Sequence, residues 1–136
     1  MTDTNRLNLG LLVLRIGLAF VFLFFGFSQL HNPQPWLGFL PDFMKSMPMA
    51  LQTHAVLVNG WFEIVAAVLL LCGAYTRITA LLLALHLFGI AFTVGINPLG
   101  VRDIGLSIAT LTLAIIGAGM FSIDYAATKP AVQAVP

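Results

Sequence analysis

Three ionisable side chains stand inside apolar runs of this chain: Glu63 in Trp61-Phe62-Glu63-Ile64-Val65, Arg15 in Val13-Leu14-Arg15-Ile16, and His86 in Ala84-Leu85-His86-Leu87-Phe88. A charge in such surroundings is expensive, which makes each a candidate functional group with a partner to be sought. A buried carboxylate and an imidazole can hold and pass protons, and a guanidinium can bias a carboxylate or bond an oxygen. Glu63, Arg15 and His86 are therefore the candidate catalytic residues.

The surroundings read as lipid-embedded. The chain has 136 residues, of which 60% are hydrophobic and 8% charged. A soluble domain carries roughly 45–50% apolar and about 25% charged residues. A small soluble core could not hide this much apolar surface, so the solvent is lipid. The net charge of +1, with no basic tract, gives no footing for nucleic acid. The single Cys72 excludes a disulfide framework and an internal dithiol relay.

A span needs about 20 mostly apolar residues. Four stretches qualify, at about 8–30, 51–72, 78–96 and 101–121. The expected fold is an all-α transmembrane four-helix bundle, one domain over 1–124, with a flexible tail over 125–136. The prolines after His31 end the first span, because proline disfavours helix at and before its own position. Residues 31–53 read as an interfacial loop with a short amphipathic helix, and Trp36 as a headgroup-level anchor. The run around Arg15 has no small-residue cleavage site, so it reads as a retained first helix. Arg6, Arg77 and Lys129 oppose Lys45 and Arg102, a slight bias toward cytoplasmic termini in the plasma or inner membrane.

Residues three and four apart share a helix face. That rule gives one small or polar stripe per span: Arg15, Ala19, Phe22, Gly26 and Gln29; Asn59, Glu63, Ala66 and Leu70; Thr79, Leu82, His86, Gly89, Thr93 and Asn97; Asp103, Ser107, Thr110, Ala114 and Gly117. Such stripes suit a bundle seam, with hydroxyls bonding across helices. Arg15 falls about 10 Å, and Glu63 and His86 about 15 Å, from the same end of their spans. Arg15 and Glu63 are expected to pair in one layer, since each otherwise carries an uncompensated desolvation cost. That pair serves either function or helix register alone. A second polar layer gathers His31, Asn97, Arg102 and Asp103 above Gln29. Trp61, Asn59, Gln29, His31, Arg102 and Asp103 are the candidate ligand contacts. His31, His54 and His86 are not at ligand spacing, so no metal or haem site is expected.

Over about Leu9 to Asp124 the chain resembles the DoxX family of small four-span membrane proteins. The resemblance rests on Arg15-Ile16-Gly17 with Gly26 to Leu30, on Gly60-x-x-Glu63 with Gly73 and Thr76-Arg77, on Arg102-Asp103-Ile104-Gly105, and on Gly117-x-Gly119-x-Phe121-Ser122-Ile123-Asp124. Gln29 stands where that family commonly has Lys. The resemblance implies membership of a group that includes subunits of quinone-reducing oxidoreductases, accessory parts of redox complexes and, more distantly, chaperone-like proteins. Its leading implication is a quinone-linked redox protein or subunit. Glu63 would then relay a proton, Arg15 and His86 would assist, and Phe22, Trp61, Phe62 and Phe88 would be able to pack around a ring. No flavin or nicotinamide fingerprint is present, so electrons would come from a partner subunit or a bound small donor. A non-catalytic assembly subunit and a small transporter stand as alternatives, and the small-residue faces permit a homo-oligomer.

Overall fold

The structure is a computed structural model and describes residues 2–128. Lys129, one of the charges in the topology bias, and the tail from 129 onward lie outside the described residues. Helix α1 spans Asp3–His31, starting at Thr2, whose hydroxyl accepts from the Asn5 amide. A 3-10 helix, Gln34–Phe39, and the short α2, Asp42–Lys45, follow between prolines. Then come α3 (Met49–Cys72), α4 (Thr76–Val94), α5 (Pro98–Ile116) and the short α6 (Ile123–Thr128). Helices α1, α3, α4 and α5 are long and apolar enough to cross a membrane. The chain is a multi-pass membrane protein.

The bundle is built from two close pairs. Helix α1 packs along α3 and α4 along α5, while the pairs meet more sparingly through α3–α4 and α1–α5. The first pair closes on glycine. A Cβ at Gly26 would lie 2.8 Å from Gly60 O and 2.7 Å from the Ile64 side chain, so no larger residue fits. The whole expected stripe of α1 is buried, from Arg15 to Gln29.

Helix α4 departs from expectation. Its buried face is Thr76, Thr79, Ala80, Leu83, Ala84, Leu87 and Ala91, whereas Leu82, Gly89 and Thr93 are exposed and His86 is half-buried. The alanines let α5 approach closely, so packing with α5 sets the helix rotation rather than the polar stripe. The α5 hydroxyls do not bridge helices either. Ser107 and Thr110 donate to the carbonyls of Asp103 and Leu106, one turn back. A local acceptor satisfies a buried hydroxyl without needing a partner helix.

The fourth helix ends at Ile116, earlier than 121, and the next residues fold back across the bundle end. Arg15 is 1% exposed. Its Nε donates to Leu70 O at 2.9 Å and Nη2 to Leu71 O at 2.9 Å. Its Nη1 donates to Ala118 O and Phe121 O at 2.8 and 2.9 Å. The guanidinium thus satisfies the last carbonyls of α3 and carries a cation to the negative end of that helix. Gly73 takes φ 69° beside it, where a Cβ would meet Arg15 and Ser122. Asp124 lies in α6, which continues past 124 to Thr128, so the first residues expected as flexible tail are helical. Its carboxylate accepts from the amides of Tyr75 and Thr76 at 2.7 and 2.8 Å, and its own amide donates to Gly73 O. These bonds hold Tyr75 at φ 49° in the left-handed region. Burial pushes the Asp124 carboxyl up, but hydrogen bonds from Thr76 and Tyr75 and the Arg15 charge outweigh it, leaving its pKa below the ordinary aspartate value.

Candidate functional site

The expected Arg15–Glu63 pair does not form. Gly26 lies level with Gly60, so in antiparallel helices Glu63 lies level with Leu23, about 12 Å along the axis from Arg15. Side chains also lean toward the N-terminus of their own helix, so Arg15 and Glu63 lean in opposite directions. Arg15 belongs to the clasp at the terminal end, and Glu63 faces the loop end.

Glu63 is 3% exposed and held by side chains from α1, its own helix and α4. Gln29 Nε2 donates to Oε2 at 2.9 Å. Asn59 Nδ2 donates to Oε1 at 3.1 Å and to Gln29 Oε1 at 2.8 Å. His86 Nε2 lies 3.3 Å from Oε1, and its ring meets Phe62 edge-on at 5.2 Å. Asn59 and Glu63 fall on one side of α3 by their spacing of four. Gln29 reaches them because the Gly26–Gly60 contact brings α1 so close.

The network opens on a cavity of about 510 Å³ between the two helix pairs. Gln29, Asn59, Glu63, His86, Arg102 and Asp103 all line it. So do Phe25, Trp36 and Phe39, which sequence reasoning had not placed at a site. Trp36 meets Phe25 edge-on at 5.6 Å, joining the 3-10 helix to α1. The Arg102 guanidinium lies 4.8 Å from the centre of the Phe25 ring and bonds Asp103. The aromatic content of residues 34–39 was visible in the sequence, but its fold over the cavity was not.

Other candidates lie elsewhere. Trp61 is 60% exposed on the outer face, and His31 is exposed at the end of α1. Asn97 caps α5, accepting from the amides of Leu99 and Gly100. Phe22 is buried in the core, and Phe88 is on the exposed side. Among the described residues no group of three or more His, Cys, Asp or Glu side chains is placed to hold a metal ion. Cys72 is exposed at the terminal end, away from the cavity.

Four apolar helices enclosing a polar-floored cavity define a multi-pass membrane protein with a buried carboxylate network. Its family follows from comparison. The DoxX family model matches residues 10–96, and the chain belongs to the DoxX family. The match takes in Arg15, Gln29, Asn59, Glu63 and His86, and stops before Arg102 and the closing clasp. The chain is 29% identical over 126 residues to the inner membrane protein YphA of Escherichia coli (strain K12), covering 84% of this chain and 87% of that protein. No solved structure matches the chain.

Proposed function

We propose that this protein binds a quinone in the cavity between the two helix pairs, as a subunit of an inner-membrane oxidoreductase complex. The observation that carries the reading is the cavity itself: apolar and aromatic walls around a carboxylate bonded by Gln29, Asn59 and His86. Its volume of about 510 Å³ lies within the range of roughly 300–1,000 Å³ common to small-molecule sites. Phe25 and Trp36 offer ring contacts, and the polar floor offers hydrogen bonds. The groups present therefore fit a ring with polar substituents. A bound quinone supplies two-electron, two-proton chemistry. The chain's own residues would contribute a proton-holding carboxylate at Glu63 and an imidazole that orients it. Electrons would come from a redox partner subunit. The name of the YphA relative supports an inner-membrane location, and the charge bias supports cytoplasmic termini.

The test is mass spectrometry of isoprenoid lipids extracted from purified wild type and from Glu63→Gln. A quinone held by wild type and lost from Glu63→Gln is the expected result. A quinone absent from both would overturn the reading and favour a non-catalytic assembly subunit.

A further inference from the structure

We propose that Asp103 makes the cavity selective for a ligand bearing a hydroxyl donor, so that it holds a quinol more tightly than the matching quinone. The proposal rests on the ring-binding reading of the same cavity. Asp103 lines that cavity while only 4% exposed. Arg102 Nε donates to Oδ1 at 2.9 Å, and Nη2 lies 2.8 Å from the same oxygen. A guanidinium usually straddles a carboxylate and bonds both oxygens. Here Oδ2 is left without a donor among the described residues. Nor is Oδ2 sealed inside the protein, because the buried side-chain oxygen or nitrogen lacking a partner among those residues is Thr76 Oγ1. The cavity is the open space that Asp103 lines.

The deeper carboxylate is different. Both oxygens of Glu63 already accept bonds, from Gln29, Asn59 and His86. Asp103 thus carries a carboxylate oxygen still free to a ligand. An Asp103 carboxylate paired with Arg102 can accept a hydrogen bond but cannot donate one. A ligand hydroxyl completes it, whereas a ligand carbonyl sets one acceptor against another. The two polar groups also stand close in depth. A Cβ at Gly100 would lie 3.7 Å from Ala91 O, so Asp103 is level with about Phe88, roughly 3 Å nearer the loop end than His86. A ring between α3 and α5 would meet the Glu63 network on one side and Asp103 on the other.

The experiment is calorimetric titration of purified protein with a short-chain para-benzoquinol, kept under argon, and with its para-benzoquinone. Hydrogen bonds to charged groups are worth enough that wild type should bind the quinol about tenfold more tightly or better. Asp103→Asn, which can offer a donor, should bring the two affinities within about threefold, and Asp103→Glu should restore the preference. Equal or tighter quinone binding by wild type would overturn the proposal, which needs no variant to fold. A preference unchanged in Asp103→Asn would also overturn it. Binding of neither compound would sink the ring-binding reading itself, a result distinct from binding both alike.

Discussion

Two buried charges in this bundle have opposite surroundings. Arg15 sends four hydrogen bonds to backbone carbonyls of α3 and of the segment after α5. Glu63 receives its bonds from side chains, Gln29, Asn59 and His86, and fronts a cavity. The backbone at the clasp is fixed by the helix ends, so its groups have no other use. Side chains around Glu63 can exchange partners with a ligand at modest rearrangement. A costly buried charge is therefore a pointer to importance, and its partners decide which kind.

The sharpest way to break the contrast is to remove the guanidinium. Arg15→Met leaves the buried carbonyls of Leu70 and Ala118, and the partly buried carbonyl of Leu71, without their donor and should destabilise the protein by about 3 kcal/mol or more. Thermal unfolding in detergent measures it, and an unchanged Tm would show that the clasp does not hold the bundle. Arg15→Lys keeps the charge but loses the fork, and should fall between.

Gly26→Leu attacks the contact that brings Gln29 to Glu63. The added side chain would collide with Gly60 O and Ile64, separating α1 from α3 at a cost of roughly 1–3 kcal/mol. It should also lower ligand retention. A variant that unfolds earlier yet retains ligand fully would detach the glycine contact from the site.

At the other pole, Glu63→Gln should cost less than about 1 kcal/mol in unfolding, since the shape and most hydrogen bonds persist, while ligand retention is lost. A large stability loss with ligand retained would make Glu63 a second Arg15 and dissolve the contrast. Trp61→Leu, on the outer face, should change neither measurement.

The smallest effect concerns Asp124, whose folded pKa lies below its unfolded value. A depressed carboxyl contributes stability that is present above the ordinary aspartate pKa of about 3.9 and is lost as pH falls through the lower folded value. The difference in Tm between wild type and Asp124→Asn should be constant near neutrality and shrink below about pH 4. A difference that grows with acid would reverse the sign and refute the capping role.

Much of the fold was legible. Long apolar runs broken by proline and glycine mark lipid-crossing helices because lipid requires each backbone group to be satisfied within its own segment. The buried stripe from Arg15 to Gln29 followed from helical spacing. The same spacing put Asn59 beside Glu63 and His86 at its depth, but gave Glu63 the partner Arg15, where the structure has Gln29. The rotation of α4 was illegible, because its alanine face and its polar stripe compete and only packing on α5 chooses between them. The cavity's aromatic wall was illegible for a related reason: residues 34–39 form a 3-10 helix whose place depends on contact with Phe25.

Composition and periodicity by themselves determined that this is a four-span membrane protein with costly charges inside it. Both are local properties, summed along the chain. Which charge meets which partner was decided only by the tertiary structure. The glycine contact sets the offset of α1 against α3, and antiparallel helices lean their side chains apart. That geometry sent Arg15 to the backbone at one end and left Glu63 to the cavity at the other.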